Sequence, residues 1–77
     1  MGYLLKYTAT KDTWGLAVKA GETFIVDQGT NAASGASLQA QLRKMGRTIT
    51  TYSSIGGGVL KVGETTSSNE WIIERIK

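Results

Sequence analysis

Neither cysteine nor histidine occurs anywhere in the 77 residues, so no disulfide and none of the commonest zinc-ligand sets can staple the fold. A domain of this size buries only about 60 to 65% of the surface its unfolded chain exposes, which leaves a thin margin over conformational entropy. The hydrophobic core has to hold the fold unaided. Its raw material is adequate, because 40% of the residues are hydrophobic and 19% charged, a globular balance far from disorder. One domain over residues 1–77 is expected. Self-association is a common supplement for so small a core.

Periodicity supplies the elements. Tyr3, Leu5 and Tyr7 alternate with Leu4, Lys6 and Thr8, the period of a half-buried strand. After the polar break Thr10 to Thr13, Trp14, Leu16 and Val18 alternate through Lys19, which predicts a second strand. Ala20-Gly21 then breaks the chain before Glu22 to Asp27, a β-branched run with Phe24 and Val26 on one face. This third strand is expected to pair antiparallel with the second.

From Gln28 to Ser37 the residues are small and polar and read as a loop feeding a helix. Ser37 and Ser34 compete as its N-cap. Leu38, Leu42 and Met45 recur at i, i+4 and i+7 and form the predicted packing face, and Gly46 suits the left-handed position just past the helix. Thr48 to Tyr52 and Val59 to Val62 read as two more strands, separated by a flexible Ser53 to Gly58 break. Residues 70–77 fit either a strand, through Trp71 and three Ile, or a helix capped by Ser67 and Glu70. The expectation is thus an α+β domain, a mostly antiparallel sheet with one amphipathic helix in the order β-β-β-α-β-β-β, the last element being strand or helix. One internal echo stands out: Val18-Lys19-Ala20-Gly21-Glu22-Thr23 and Leu60-Lys61-Val62-Gly63-Glu64-Thr65. It fails to extend into the following residues, so shared turn chemistry accounts for it better than duplication.

The chemistry-bearing patterns are few. Gly58 to Thr65 has phosphate-loop spacing but carries Glu64 where the lysine must stand, and a carboxylate there repels phosphate. Gly56-Gly57-Gly58 lacks the spaced third glycine of a dinucleotide loop. Asp27 to Asn31 has oxygen ligands for calcium but no closing Glu. Asp12, Glu22, Asp27 and Glu70 offer carboxylates without evidence of a pair. With no thiol and no imidazole, the reading is a protein without enzymatic activity, cofactor, metal or small-molecule substrate.

Charge gives the remaining signal. Residues 28–63 contain no acid and four bases, Arg43, Lys44, Arg47 and Lys61, while the rest of the chain has five bases and six acids. These four residues are the candidate surface for nucleic acid or an acidic protein, with Arg43, Lys44 and Arg47 at the end of the predicted helix among Gln39, Gln41, Thr48, Thr50 and Thr51. The same cations also fit a plainer role, offsetting the helix dipole and keeping the protein soluble. Tyr3 and Tyr7, with Trp14 or Trp71, are read mainly as core and alternatively as a base-stacking platform. The expected function is a small non-enzymatic binding module; the alternative is a structural or assembly subunit acting as a homo-oligomer through a strand edge or apolar patch. The N-terminal Met1 to Lys6 has neither a basic leader nor a long apolar run, which predicts a cytoplasmic chain with no membrane partner.

Overall fold

A computed structural model describes residues 2–56 and 58–77. The elements are β1 (Tyr3–Ala9), β2 (Thr23–Gln28), α1 (Gly35–Lys44), β3 (Thr65–Ser68) and β4 (Trp71–Arg75). The strands form one sheet in the order β2-β1-β4-β3, and each pairing is antiparallel. One face of this sheet carries Leu5, Tyr7 and Ala9 of β1, Phe24 and Val26 of β2, and Trp71 and Ile73 of β4, all buried. Leu38 and Leu42 of α1 close over it, with Trp14, Val18 and Leu60 from the loops. Burying either helix leucine is worth about 1.5–3 kcal/mol. The opposite face has no covering layer among the described residues and shows Ile25 and Ile72 to solvent.

The α+β class holds, and residues 71–75 form a strand, but the predicted order does not. Trp14 to Lys19 is not a strand. Trp14, Gly15 and Leu16 take φ of 57°, 68° and 67°, a left-handed loop closed by the Thr13–Val18 bridge. Leu16 therefore points outward, 71% exposed, between the buried Trp14 and Val18, and β2 pairs with β1 instead. Thr48 to Tyr52 has no sheet partner, and Thr50 packs where a side chain on Gly15 would have to go. Val59 to Val62 offers only an isolated Ala32–Val59 bridge and one anchor, Leu60, while Val59 and Val62 are 67% and 64% exposed. The glycine-loop reading of residues 56–58 falls partly on Gly57, outside the described residues.

Helix α1 starts at Gly35 because Ser34, not Ser37, is its N-cap: the Ser34 hydroxyl accepts the Ser37 N–H at 3.3 Å. It ends in paired reverse bonds, Arg47 N–H to the Leu42 carbonyl at 3.1 Å and Gly46 N–H to the Arg43 carbonyl at 3.0 Å. This is the Schellman arrangement, and it needs the left-handed Gly46, whose φ is 83°. Met45 lies on the turn and is 49% exposed, so the helix packs through Leu38 and Leu42 without it.

The echo acquires a structural meaning. Gly21 and Gly63 have φ of 87° and 86°, and their N–H groups bond the carbonyls of Ala9 and Arg75, each at 2.8 Å. Ala9 and Arg75 donate in return to the carbonyls of Glu22 and Glu64. The glutamate side chains accept the N–H of Lys19 at 2.8 Å and of Lys61 at 2.6 Å. Both are the same tight turn feeding a glycine bulge. In the register Tyr7 faces Ile73, and Leu5 faces Arg75 as Ala9 faces Trp71. A local two-fold axis through the Tyr7–Ile73 pair thus exchanges β1 with β4, β2 with β3, and one turn with the other. The strand after the second turn, Thr65–Ser68, is built of hydroxyl residues and matches β2 in place though not in apolarity.

Candidate functional site

The turn after α1 decides what becomes of the basic cluster. Arg43 and Lys44 stay in the last helical turn and are exposed, where their charge complements the helix C-terminus. Beyond Gly46 the chain doubles back, and Arg47 reaches across to the sheet. Its Nη1 and Nη2 donate to the two carboxylate oxygens of Glu22, each at 2.8 Å, and Nη1 also donates to the Ala17 carbonyl at 2.9 Å. The guanidinium lies 5.0 Å from the centre of the Phe24 ring. Such a bidentate, ring-stacked arginine is held in one geometry. The Arg47 guanidinium together with the Lys19 N–H lowers the Glu22 carboxyl to about 2, and the same pairing raises Arg47.

Lys61 is not brought to the helix end. Its turn is tied to Arg75 and, through the Leu60 N–H, to the Asn31 carbonyl. The Glu22 turn that holds Arg47 sits at the other end of β1, beside Ala9, and on the far side of the sheet. Four residues of strand rise and three strand spacings put the two turns about 20 Å apart. That is beyond the roughly 8 Å screening length at physiological salt. Of the four predicted residues, Arg43 and Lys44 are adjacent and open, Arg47 is engaged, and Lys61 stands apart.

The aromatic residues form a cluster in the core. Trp71 lies 5.1 Å from Trp14 and 6.4 Å from both Tyr7 and Phe24, centre to centre, and Tyr7, Trp14 and Trp71 are buried. They offer no stacking platform. Tyr3 is 36% exposed and lies under the Arg75 guanidinium. The Tyr7 hydroxyl donates to Gln28 Oε1 at 2.9 Å and accepts the Ser34 N–H at 3.0 Å, which ties β1 to β2 and to the helix cap. Burial raises the Tyr7 hydroxyl, partly offset by its contact with Ser34. Trp71 Nε1 is the buried side-chain donor left without a partner among the described residues.

Sequence reasoning missed the Glu22–Arg47 clamp, since nothing local couples residues so far apart. The sequence trace of the clamp is the echo, which marks Glu22 as a turn residue. Among the described residues there is no enclosed pocket and no group of His, Cys, Asp and Glu placed to hold a metal. No helix there is long and apolar enough to cross a membrane. Comparison with protein-family models, with curated proteins and with solved structures gives no match for the chain.

Proposed function

We propose that the protein is a small binding module without catalytic chemistry, working in the cytoplasm, and that the C-terminal end of α1 meets an acidic partner, nucleic acid or an acidic protein. The observation that carries this reading is the pair Arg43 and Lys44, exposed on the last turn with no carboxylate paired to them among the described residues. Exposed Thr48 and Thr50 just beyond the helix supply hydroxyl donors for phosphate oxygens. Two phosphate contacts give weak binding, with a log–log salt slope of about −2.

The test is a fluorescence-anisotropy titration of single-stranded DNA, duplex DNA, RNA and an acidic peptide at two salt concentrations. Wild type is compared with Arg43→Glu/Lys44→Glu. Salt-sensitive binding lost in the double variant supports the reading, and which probe binds names the partner class. Absence of binding to all four probes at low salt overturns it. Arg47 is left intact, because its reversal would put two negative charges together at Glu22.

A second reading, a structural or assembly subunit acting by self-association, is favoured by a separate observation. The sheet ends in two edges, β2 and β3, and β2 is the longer, with six residues against four.

A further inference from the structure

The bond pattern fixes which groups of β2 face outward. Ala9 pairs with the Gly21–Glu22 bulge through main-chain bonds, so by alternation Tyr7–Phe24, Leu5–Val26 and Tyr3–Gln28 are the bonded pairs of the β1–β2 ladder. Thr23, Ile25 and Asp27 then turn their N–H and C=O groups away from β1. No other described main-chain or side-chain group bonds their backbone. At the other edge, β3 has only four residues. By the same alternation only Thr65 and Ser67 of β3 turn their backbone outward, and the preceding loop bonds the side chains at the strand's end, with Gly56 N–H donating to Ser68 Oγ at 3.0 Å and Asn69 Nδ2 to the Ser54 carbonyl.

Edges are ordinarily protected by charged side chains, lysine above all, by proline, by a bulge or by a covering loop. Thr23–Gln28 has no lysine and no proline, Asp27 is its one charge, and the bulge lies before the strand. Ile25, at the middle of the edge, is 53% exposed. The strand is also complementary to itself. Antiparallel pairing with its own copy, centred on Ile25, sets Ile25 against Ile25 and Thr23 against Asp27. All three facing pairs use outward backbone, each exchanging two bonds. The isoleucines make a β-branched cross-strand contact, and each carboxylate meets a hydroxyl. Shifting the centre to Asp27 would oppose two carboxylates, and shifting it to Phe24 or Val26 leaves fewer facing pairs.

We infer that the β2 edge binds a second copy of this chain, joining two four-stranded sheets into one continuous sheet about a two-fold axis at Ile25. This rests on the self-association reading above and names its surface. Arg43 and Lys44 play no part in it.

The experiment is sedimentation equilibrium of the whole chain over a wide concentration range, with Thr23→Lys, Thr23→Asp and Ile25→Pro beside wild type. Thr23 is exposed and Ile25 presents its N–H outward, so the β1–β2 ladder keeps its bonds in all three. A dispersed NMR spectrum checks that each remains folded. The expected result is a wild-type dimer tightened about three- to tenfold by Thr23→Lys, which then faces Asp27 of the second copy, and weakened by a similar factor by Thr23→Asp. Ile25→Pro should leave a monomer; if it fails to fold, the opposite responses at Thr23 still decide. A dimer indifferent to both Thr23 changes would overturn the β2 interface and leave self-association standing. A folded monomer at every concentration would overturn both.

Discussion

Arg47 and Glu22, one just past the helix and the other opening β2, are joined by two hydrogen bonds of 2.8 Å. The pair fastens the α1 exit to the sheet at a half-buried position and makes the fold acid-sensitive. The Glu22 carboxyl is near 2 when folded and about 4.5 otherwise. Its contribution is therefore complete above about pH 4.5 and is lost as pH falls towards 2. Thermal melts from pH 6 to pH 2 should show a steeper loss of Tm in wild type than in Glu22→Gln. Parallel curves would mean the clamp adds nothing in solution.

Tyr7 is expected to behave in the opposite sense. Its hydroxyl is raised above 10 by burial, so its contribution is complete below pH 10 and is lost as pH rises beyond that. Tyr7→Phe leaves the Ser34 N–H and Gln28 Oε1 without their partner and should cost about 1–3 kcal/mol. That corresponds to a Tm drop of about 4–8 °C per kcal/mol in a domain of this size. The variant should also lose part of the alkaline sensitivity, measured as Tm against pH above 9.

The matched turns predict matched costs. Gly21 and Gly63 have open space around the missing Cβ and nearly equal positive φ, so alanine at either meets backbone strain and little else. Gly21→Ala and Gly63→Ala should each destabilise by about 1 kcal/mol in urea unfolding. A large difference between them would show that the two turns are not energetically alike.

On the helix, Leu42 is fully buried and Met45 is 49% exposed. Leu42→Asp should abolish the cooperative melt, because an unpaired charge in so small a core exceeds its stability. Met45→Asp should keep a folded spectrum with at most a modest loss at the negative end of the helix dipole. The converse pattern would move the packing face by one turn.

The strands most readable in the sequence are those with one dry face. β1, β2 and β4 alternate buried and exposed residues, and alternation in the fold is alternation in the letters. Thr65–Ser68 carries no such signal, because its place depends on backbone bonds to β4 and on the turn before it. Trp14 to Val18 shows the reverse error. Its alternation is real in the letters, yet a left-handed loop turns Leu16 outward, and positive φ at Trp14 and Leu16 is not foreseeable from residue type. The candidate cations were legible as a cluster along the chain. Their dispersal was not, since Arg47 is claimed by a carboxylate 25 residues earlier and Lys61 is carried away by a turn bound to the last strand.

The first and last strands lie side by side at the centre of the sheet, with Leu4 N–H bonded to the Lys77 carbonyl at 3.0 Å. A chain emerging in order from the ribosome thus holds β1, β2 and α1 while the inner neighbour of β1 is still unmade. Until β4 arrives, β1 exposes an open ladder as well as the apolar side chains that Trp71 and Ile73 will cover. Closure across nearly the whole chain makes folding slow for its length. The interval before β4 is when strand pairing with the wrong molecule is most available to this protein.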